Sequence, residues 1–98
     1  MFWQYEFDGH KFPSILTVQD YIKGLISKAK KSDQIYCNSL HYPSLLNIFR
    51  LNRIPEVAER DIECFYFVED CLLVKNKQGI SYTLSTHYPT LVRQKGKI

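Results

Sequence analysis

Apolar residues recur with a helical period in the first third of the chain. Six of them fall at spacings of i, i+3, i+4, i+7, i+8 and i+11: Val18, Tyr21, Ile22, Leu25, Ile26 and Ala29. This spacing predicts an amphipathic helix. Thr17-Val-Gln-Asp20 has the form of a capping box and marks the predicted start. Lysines at the other end suit the negative end of the helix dipole.

A second, shorter helix is predicted from Leu45 to about Arg53. Its inward-facing residues would be Leu45, Leu46, Ile48 and Phe49. Pro55 ends it, because the residue before a proline is disfavoured in helical geometry.

From Asp61 onward the hydrophobic period changes to two, which is typical of strands. Ile62, Cys64, Tyr66 and Val68 alternate with Glu63, Phe65, Phe67 and Glu69. Two further strand-like segments, 71–75 and 80–85, flank a predicted turn at 76–79. The second of these has a polar side formed by Ser81, Thr83 and Ser85. A strand over 2–7, ending at the Asp8-Gly9 turn, and a short strand over 34–38 complete the prediction.

These elements predict an α+β fold, with a small antiparallel sheet of three to five strands and two helices packed on one face. The 98 residues suit a single domain over residues 1–98. Its last seven residues, 92–98, are basic and are expected to form a frayed tail.

One five-residue phrase occurs three times. It reads Phe12-Pro-Ser-Ile-Leu16, Tyr42-Pro-Ser-Leu-Leu46 and Tyr88-Pro-Thr-Leu-Val92. A histidine precedes each copy: His10, His41 or His87. The last two copies match further, as Ser39-Leu-His-Tyr-Pro-Ser and Ser85-Thr-His-Tyr-Pro-Thr.

The structural interpretation of the phrase is a helix start. Proline fixes φ, and the following hydroxyl can cap the first turn. This interpretation predicts that Ser44 is an N-cap and that Thr90 is another. An internal duplication is an alternative, since His41 and His87 are 87 − 41 = 46 residues apart. Outside the phrase, however, the two halves do not align.

Composition is that of a globular protein, with 45% hydrophobic and 23% charged residues and a net charge of +3. Cys37, Cys64 and Cys71 form no C-x-x-C pair, which favours free, mostly buried thiols in a reducing compartment. The N-terminus lacks signal-peptide features, and no apolar run reaches the ~20 residues of a membrane span. We therefore expect a cytoplasmic protein without membrane contact.

Aromatic residues provide the main candidate for a protein-binding surface. Phe65 and Phe67 lie on the face of their strand opposite to Cys64 and Tyr66. Two helices can cover only one face of the sheet. The other face would then be an apolar patch suited to a protein partner or a homodimer, formed by Trp3, Tyr5, Phe65 and Phe67. Alternatively, loops and the N-terminal segment cover it.

Catalysis is an alternative to protein binding. The sequence favours no set of catalytic residues, and a protein that is not an enzyme is the preferred interpretation. The layout resembles small RNase toxins in outline, which implies candidate residues His41, His87, Arg50, Arg53 and Tyr82. The two His-Tyr-Pro-hydroxyl segments are only loosely similar to the repeated motif of two-histidine phosphoesterases.

Nucleic-acid binding is a second alternative. Basic residues occur in three groups, and a shared face would form a phosphate-binding stripe: Lys28, Lys30, Lys31, Arg50, Arg53, Arg93 and Lys95. Cys37-x-x-x-His41 has a spacing that can chelate zinc, and His87 or Cys71 could complete the site, but a single loose pair does not make a zinc site. No metal and no cofactor are predicted. The leading hypothesis is a small protein-binding domain of inhibitor, immunity or regulatory type.

Overall fold

The structure is a computed structural model that describes residues 5–96, with side chains described for residues 5–92. Trp3 and the beginning of the predicted N-terminal strand lie outside the described residues, as do Lys97 and Ile98. The side chains of Arg93 and Lys95 are also outside them.

A small hairpin begins the described chain. Strands β1 (Tyr5–Phe7) and β2 (His10–Phe12) pair antiparallel. Asp8 and Gly9 connect them with φ angles of 55° and 80°. Two consecutive positive φ angles belong to the tight turn that Asp-Gly favours, which is why this dipeptide predicted the turn.

A separate four-stranded sheet forms the second half of the fold. Its strands are β3 (Gln34–Ile35), β4 (Ile62–Val68), β5 (Cys71–Asn76) and β6 (Ser81–Leu84), in that spatial order. All neighbouring strands are antiparallel. Short turns connect β4 to β5 and β5 to β6, whereas a long segment that contains a helix separates β3 from β4. The β5–β6 turn places Gly79 at a φ of 90°.

Three helices occur in the described chain: α1 (Ile15–Ala29), α2 (Tyr42–Asn52) and α3 (Tyr88–Gly96), besides one 3₁₀ turn at Glu59–Asp61. The α+β class is therefore confirmed. The predicted single sheet with two helices is only partly right, since a two-stranded hairpin stands apart and a third helix is present. α3 occupies most of the region that was predicted to be a frayed tail.

The first copy of the repeated phrase caps α1. The Ser14 hydroxyl accepts the Thr17 backbone N–H, and the Thr17 hydroxyl accepts the Ser14 N–H, both at 3.3 Å. This reciprocal pair is a capping box that satisfies two N–H groups at the helix start. The predicted capping box at Thr17 to Asp20 is therefore wrong, and the helix begins one turn earlier.

The second and third copies start their helices in a different way. The backbone N–H of His41 donates to the Ser39 hydroxyl, and that of His87 donates to the Ser85 hydroxyl, at 3.2 Å each. The helices then begin at Tyr42 and Tyr88, directly after the histidines. The longer match between these copies therefore has one structural cause.

Ser44 and Thr90 lie inside the first turns, so the prediction that Ser44 is an N-cap is wrong, and so is the prediction for Thr90. His41 is the N-cap residue of α2 and makes no side-chain capping bond. Ser44 instead donates its hydroxyl hydrogen to the Asp8 carboxylate at 2.7 Å. The serine thus ties α2 to the β1–β2 turn.

The hydrophobic core lies between the helices and one face of the four-stranded sheet. At its centre Phe65 is 0% exposed, with its ring 5.4 Å from that of Tyr42 and 6.4 Å from that of Phe49. Buried side chains from helices and strands surround it: Val18, Ile22, Ala29, Ile35, Leu45, Ile48, Leu72, Val74 and Leu84. The apolar stripe predicted for α1 accounts for the first three.

The prediction that Phe65 and Phe67 lie on the uncovered sheet face is wrong. Paired residues in an antiparallel ladder share a face, and these two pair with the core residues Val74 and Leu72. Phe67 packs against the core as a half-buried side chain. Tyr5 is also half-buried, with its ring 6.4 Å from that of Tyr88. These aromatics stabilise the fold from within.

Candidate protein-binding surface

One face of the four-stranded sheet is not covered by any helix of the described chain. We call it the open sheet face. Its central row runs across all four strands, from Gln34 through Tyr66 and Leu73 to Thr83. The remaining members are Val68, Cys71, Lys75 and Ser81. Tyr66 and Leu73 are half-buried and Val68 is 51% exposed, so this face combines apolar and polar groups.

Neighbouring side chains hold Tyr66 in place on the open sheet face. Its hydroxyl donates to the Ser81 hydroxyl at 2.6 Å, across the intervening strand. The Lys75 ammonium lies 5.7 Å from the centre of its ring, which is within cation–π range. A tyrosine that is fixed before binding loses less conformational entropy when a partner covers it.

Cys64 belongs to the same side of the ladder, since it pairs with Lys75, but it is fully buried. Burial raises the pKa of its thiol and keeps it neutral. Cys37 and Cys71 are exposed and form no disulfide, which corrects the expectation of mostly buried thiols. Only Cys71 therefore presents an accessible thiol on the open sheet face.

The outer edge of β6 adjoins the open sheet face. The Asn76 N–H donates to the Ile80 carbonyl at 2.9 Å, which fixes the phase of the β5–β6 ladder. By alternation, Tyr82 and Leu84 direct their backbone groups towards β5. The N–H and C=O groups of Ser81, Thr83 and Ser85 therefore point away from the sheet.

Ser85 has partners for both of these groups, because the Asn52 side chain supplies them. Asn52 Oδ1 accepts the Ser85 N–H at 2.7 Å, and Asn52 Nδ2 donates to the Ser85 carbonyl at 3.0 Å. The outward backbone groups of Ser81 and Thr83 have no partner among the described groups, which are the backbone of residues 5–96 and the side chains of residues 5–92. The free part of the edge therefore consists of the N–H and C=O groups of two residues, and unpaired edge groups of this kind are a template for another strand.

A polar cluster centred on Asp8 joins the β1–β2 turn to two helices. The carboxylate accepts hydrogen bonds from the Tyr21 hydroxyl at 2.5 Å, the Ser44 hydroxyl at 2.7 Å and Asn47 Nδ2 at 2.9 Å. Partial burial raises the pKa of Asp8, but these three donors outweigh it and bring the pKa below its usual value. Burial and the neighbouring carboxylate raise the pKa of Tyr21 to about 12.

This cluster is better suited to holding the fold together than to catalysis. A carboxylate with three engaged donors is a poor base, because its charged form is already stabilised. A tyrosine with a raised pKa stays protonated at neutral pH. Asp8 was not among the predicted site residues; the signal in the sequence was its place in a turn that requires a left-handed residue.

The two histidines of the RNase alternative lie near opposite ends of α2. His41 precedes the first residue of the helix. His87 is two residues after Ser85, which is bonded to Asn52 at the far end. From residue 41 to 52 the chain advances 11 residues, or roughly 16 Å at 1.5 Å per residue. This arrangement gives no support to a site in which both histidines contact one phosphate.

The other candidate catalytic residues are no closer to forming such a site. Arg50 and Arg53 lie at the C-terminal end of α2, away from His41. Tyr82 pairs with Val74 and packs against the core from the covered side of the sheet. His87 is exposed, and its Nδ1 lies 2.8 Å from the Thr90 hydroxyl, a contact within its own helix start.

The predicted basic residues lie in separate places. Lys28, Lys30 and Lys31 lie at the C-terminal end of α1, where Lys30 forms an ion pair with Asp70 of the β4–β5 turn. Arg50 forms a two-point ion pair with Glu59, with N···O distances of 2.7 and 2.9 Å. Of the five predicted basic residues whose side chains are described, Lys30 and Arg50 are therefore already paired with carboxylates. This pairing weakens the case for a phosphate-binding stripe.

Neither a metal site, nor a membrane-spanning helix, nor a relationship to a known family indicates the function of the described chain. Among the residues that the structure describes, no three His, Cys, Asp or Glu side chains are grouped so that they could hold a metal ion. Between residues 5 and 96, no helix combines the length and apolar character that crossing a membrane requires. Comparisons with models of known families, with curated proteins and with solved structures found no match.

Proposed function

We propose that this chain is a protein-binding domain that acts through the open sheet face and the free edge of β6. One observation carries the proposal: the outward N–H and C=O groups of Ser81 and Thr83 are unpaired within the described chain, beside the half-buried Tyr66 and Leu73 of the open sheet face. Partners that add a strand gain affinity from main-chain hydrogen bonds and specificity from the side chains around them.

The composition of the edge supports this proposal. Residues 80–86 read Ile-Ser-Tyr-Thr-Leu-Ser-Thr and contain no charge and no proline. Edge strands that must stay unpaired usually carry lysine, proline or a bulge. β6 has none of these, and Ile80 at its start is 50% exposed. An edge without such protection suits a strand that is paired when the protein acts.

A second copy of the chain is the partner that fits this edge best. If two β6 strands meet antiparallel with Tyr82 opposite Tyr82, Ser81 of one copy faces Thr83 of the other. The N–H and C=O groups that point outward are then those of facing residues, so each donor meets an acceptor. The two open sheet faces would join into one surface. The two exposed free thiols suit a reducing, cytoplasmic location for this assembly.

Sedimentation equilibrium from ~10 μM to ~1 mM tests the proposal, because so short an interface implies weak association. We expect the mass to rise with concentration from 11.6 kDa towards twice that value. Thr83→Pro should abolish the rise. Its N–H points outward, so proline blocks a new strand without removing a bond to β5. Thr83→Val is the matched control, since it keeps the N–H.

Two outcomes would count against the proposal. A wild-type mass of 11.6 kDa at every concentration excludes the second copy as partner. Equal association of the Thr83→Pro and Thr83→Val variants excludes the β6 edge. Circular dichroism of both variants establishes that each is folded, and Ser81→Pro provides a second block at the other outward residue should Thr83→Pro fail to fold.

A further inference from the structure

A groove lies at the C-terminal end of α2, formed by the helix and the segment that follows it. Its volume is about 430 Å³, and it is a shallow depression that is open to solvent over most of its extent. Four apolar residues line it, namely Phe49, Ile54, Pro55 and Val57, together with Arg50, Arg53 and Glu59. It is built from elements other than those that form the β6 edge.

The groove has one uncompensated positive charge. Arg50 and Glu59 neutralise each other through their two-point ion pair. Arg53 is exposed and makes no hydrogen bond or ion pair with any residue of the described chain. An anionic group placed beside the apolar lining would therefore complement the charge of Arg53.

The backbone at Arg53 is strained. Its φ and ψ are 52° and 65°, in the left-handed region. Helices commonly end with glycine in this conformation, because a Cβ atom crowds the backbone there. Arginine at this position brings a cost in stability, and strained residues of this kind are concentrated at binding sites. The free charge of the side chain gives a reason for its presence.

We propose that this groove binds the carboxyl-terminal residue of a peptide whose last side chain is apolar. The terminal carboxylate accepts two parallel hydrogen bonds from the Arg53 guanidinium, a geometry that matches this planar anion. The apolar side chain packs against Phe49, Ile54 and Val57. Because the groove is open to the surface, the preceding part of the peptide can leave it.

Nuclear magnetic resonance of the ¹⁵N-labelled, full 98-residue chain provides the test. The probe is N-acetyl-Ala-Leu with a free carboxylate, compared with the same dipeptide as a carboxamide at low salt. We expect the acid to shift backbone resonances of residues 49–59 and to bind about tenfold more tightly than the amide, since it forms charge-assisted hydrogen bonds. Equal binding of the two probes, or shifts elsewhere, would overturn the proposal.

Arg53→Gly separates binding from folding. Glycine suits the left-handed conformation, so this variant should melt at or above the wild-type temperature. Its binding of the acid should fall about tenfold, to the level of the amide. Lys23→Gln on α1 is the matched control, since it removes one exposed charge outside the groove and should leave binding unchanged. Unaltered binding by Arg53→Gly would also overturn the proposal.

Discussion

Asn52 at the end of α2 bonds both backbone polar groups of Ser85, just beyond the end of β6. Its side-chain amide takes the place that the peptide group of a neighbouring strand would occupy. A third bond, from Asn52 Nδ2 to the Ile48 carbonyl at 2.8 Å, fixes the amide to its own helix. The contact therefore closes one end of the sheet edge and attaches α2 to it.

Asn52→Ala should lower the free energy of unfolding by about 2 kcal/mol, because it leaves the part-buried N–H and C=O of Ser85 without partners. Urea unfolding at pH 7 measures this change. Asn52→Asp is the matched control. It keeps the acceptor but loses the donor and sets a carboxylate against the Ser85 carbonyl, so it should not restore stability. A loss below about 0.5 kcal/mol for Asn52→Ala would mean that water replaces the amide.

Asp8→Asn should destabilise the protein at neutral pH by about 2 kcal/mol, because three donors lose a charged acceptor. Asparagine tolerates the left-handed conformation at this position, so the backbone is not the cause. The pKa of Asp8 is lowered in the folded state. Its contribution is therefore complete above the unfolded-state pKa of about 3.9 and is lost as the pH falls through the lower, folded-state value.

Urea unfolding of wild type and Asp8→Asn at pH 7 and at pH 3 measures this dependence. The difference in unfolding free energy should be largest at pH 7 and should shrink at pH 3, because pH 3 lies below the unfolded-state pKa of about 3.9 and the unfolded chain then binds the proton at Asp8. A difference that stays constant between the two pH values would show that the carboxylate charge does not contribute.

The first two copies of the repeated phrase allow a matched comparison. Ser14→Ala removes an N-cap and should cost about 1 kcal/mol at any pH from 7 to 3. Ser44→Ala removes a donor to the Asp8 carboxylate, so its cost should be smaller at pH 3 than at pH 7. Chemical unfolding of both variants at these pH values distinguishes them. The same pH response in both would contradict the separate roles assigned here.

The β4–β5 turn should be open to stabilisation by one substitution. Glu69 has a φ of 56° at the first central position of this two-residue turn, where glycine is preferred. Glu69→Gly should therefore raise the free energy of unfolding by about 0.5 kcal/mol. This value is the strain energy that glycine relieves, reduced by the cost of ordering a more flexible residue on folding. Thermal unfolding measures the gain.

Asp70→Gly is the neighbouring control for this turn. Its φ is not positive, and its carboxylate pairs with Lys30. The same substitution there relieves no strain, adds backbone freedom and removes the ion pair, so stability should fall. A gain from both substitutions would indicate that strain at Glu69 is not the cause.

Local patterns predicted those parts of the fold that depend on neighbours in sequence. The spacing of Val18, Ile22 and Ala29 placed the buried stripe of α1 correctly. The Asp8-Gly9 turn follows from backbone sterics alone. The third copy of the repeated phrase predicted a helix start at Thr90, but the residues after it were predicted to form a frayed tail. The acceptor for the Tyr88 N–H at the actual start of α3 is Gln19 Oε1, 69 residues away. No local signal contains such a partner.

The candidate surface was likewise predicted only as far as local patterns allowed. Alternation over residues 64–68 correctly implied two faces. A register shift between Ile62 and Cys64 places Ile62 on the side opposite to Cys64, which the pattern did not predict. Alternation also could not say which face the helices cover. The polar side of β6 held the missing signal. Following the register from Thr83 through Leu73 leads to Tyr66, which places this tyrosine, and not Phe65 or Phe67, on the outward side. The lengths of the β4–β5 and β5–β6 turns fix this register, so they could have identified the outward side of β4 from the sequence.

The Gln19 side chain links α1 to the start of α3. Its amide accepts the Tyr88 N–H at 2.6 Å and donates to the Thr86 carbonyl at 3.2 Å, while Asn52 holds Ser85 beside it. The segment that begins α3 is therefore bonded to both α1 and α2. Opening of α1 or α2 should therefore remove partners from the segment that begins α3. Its amide protons are correspondingly the natural reporters of partial unfolding.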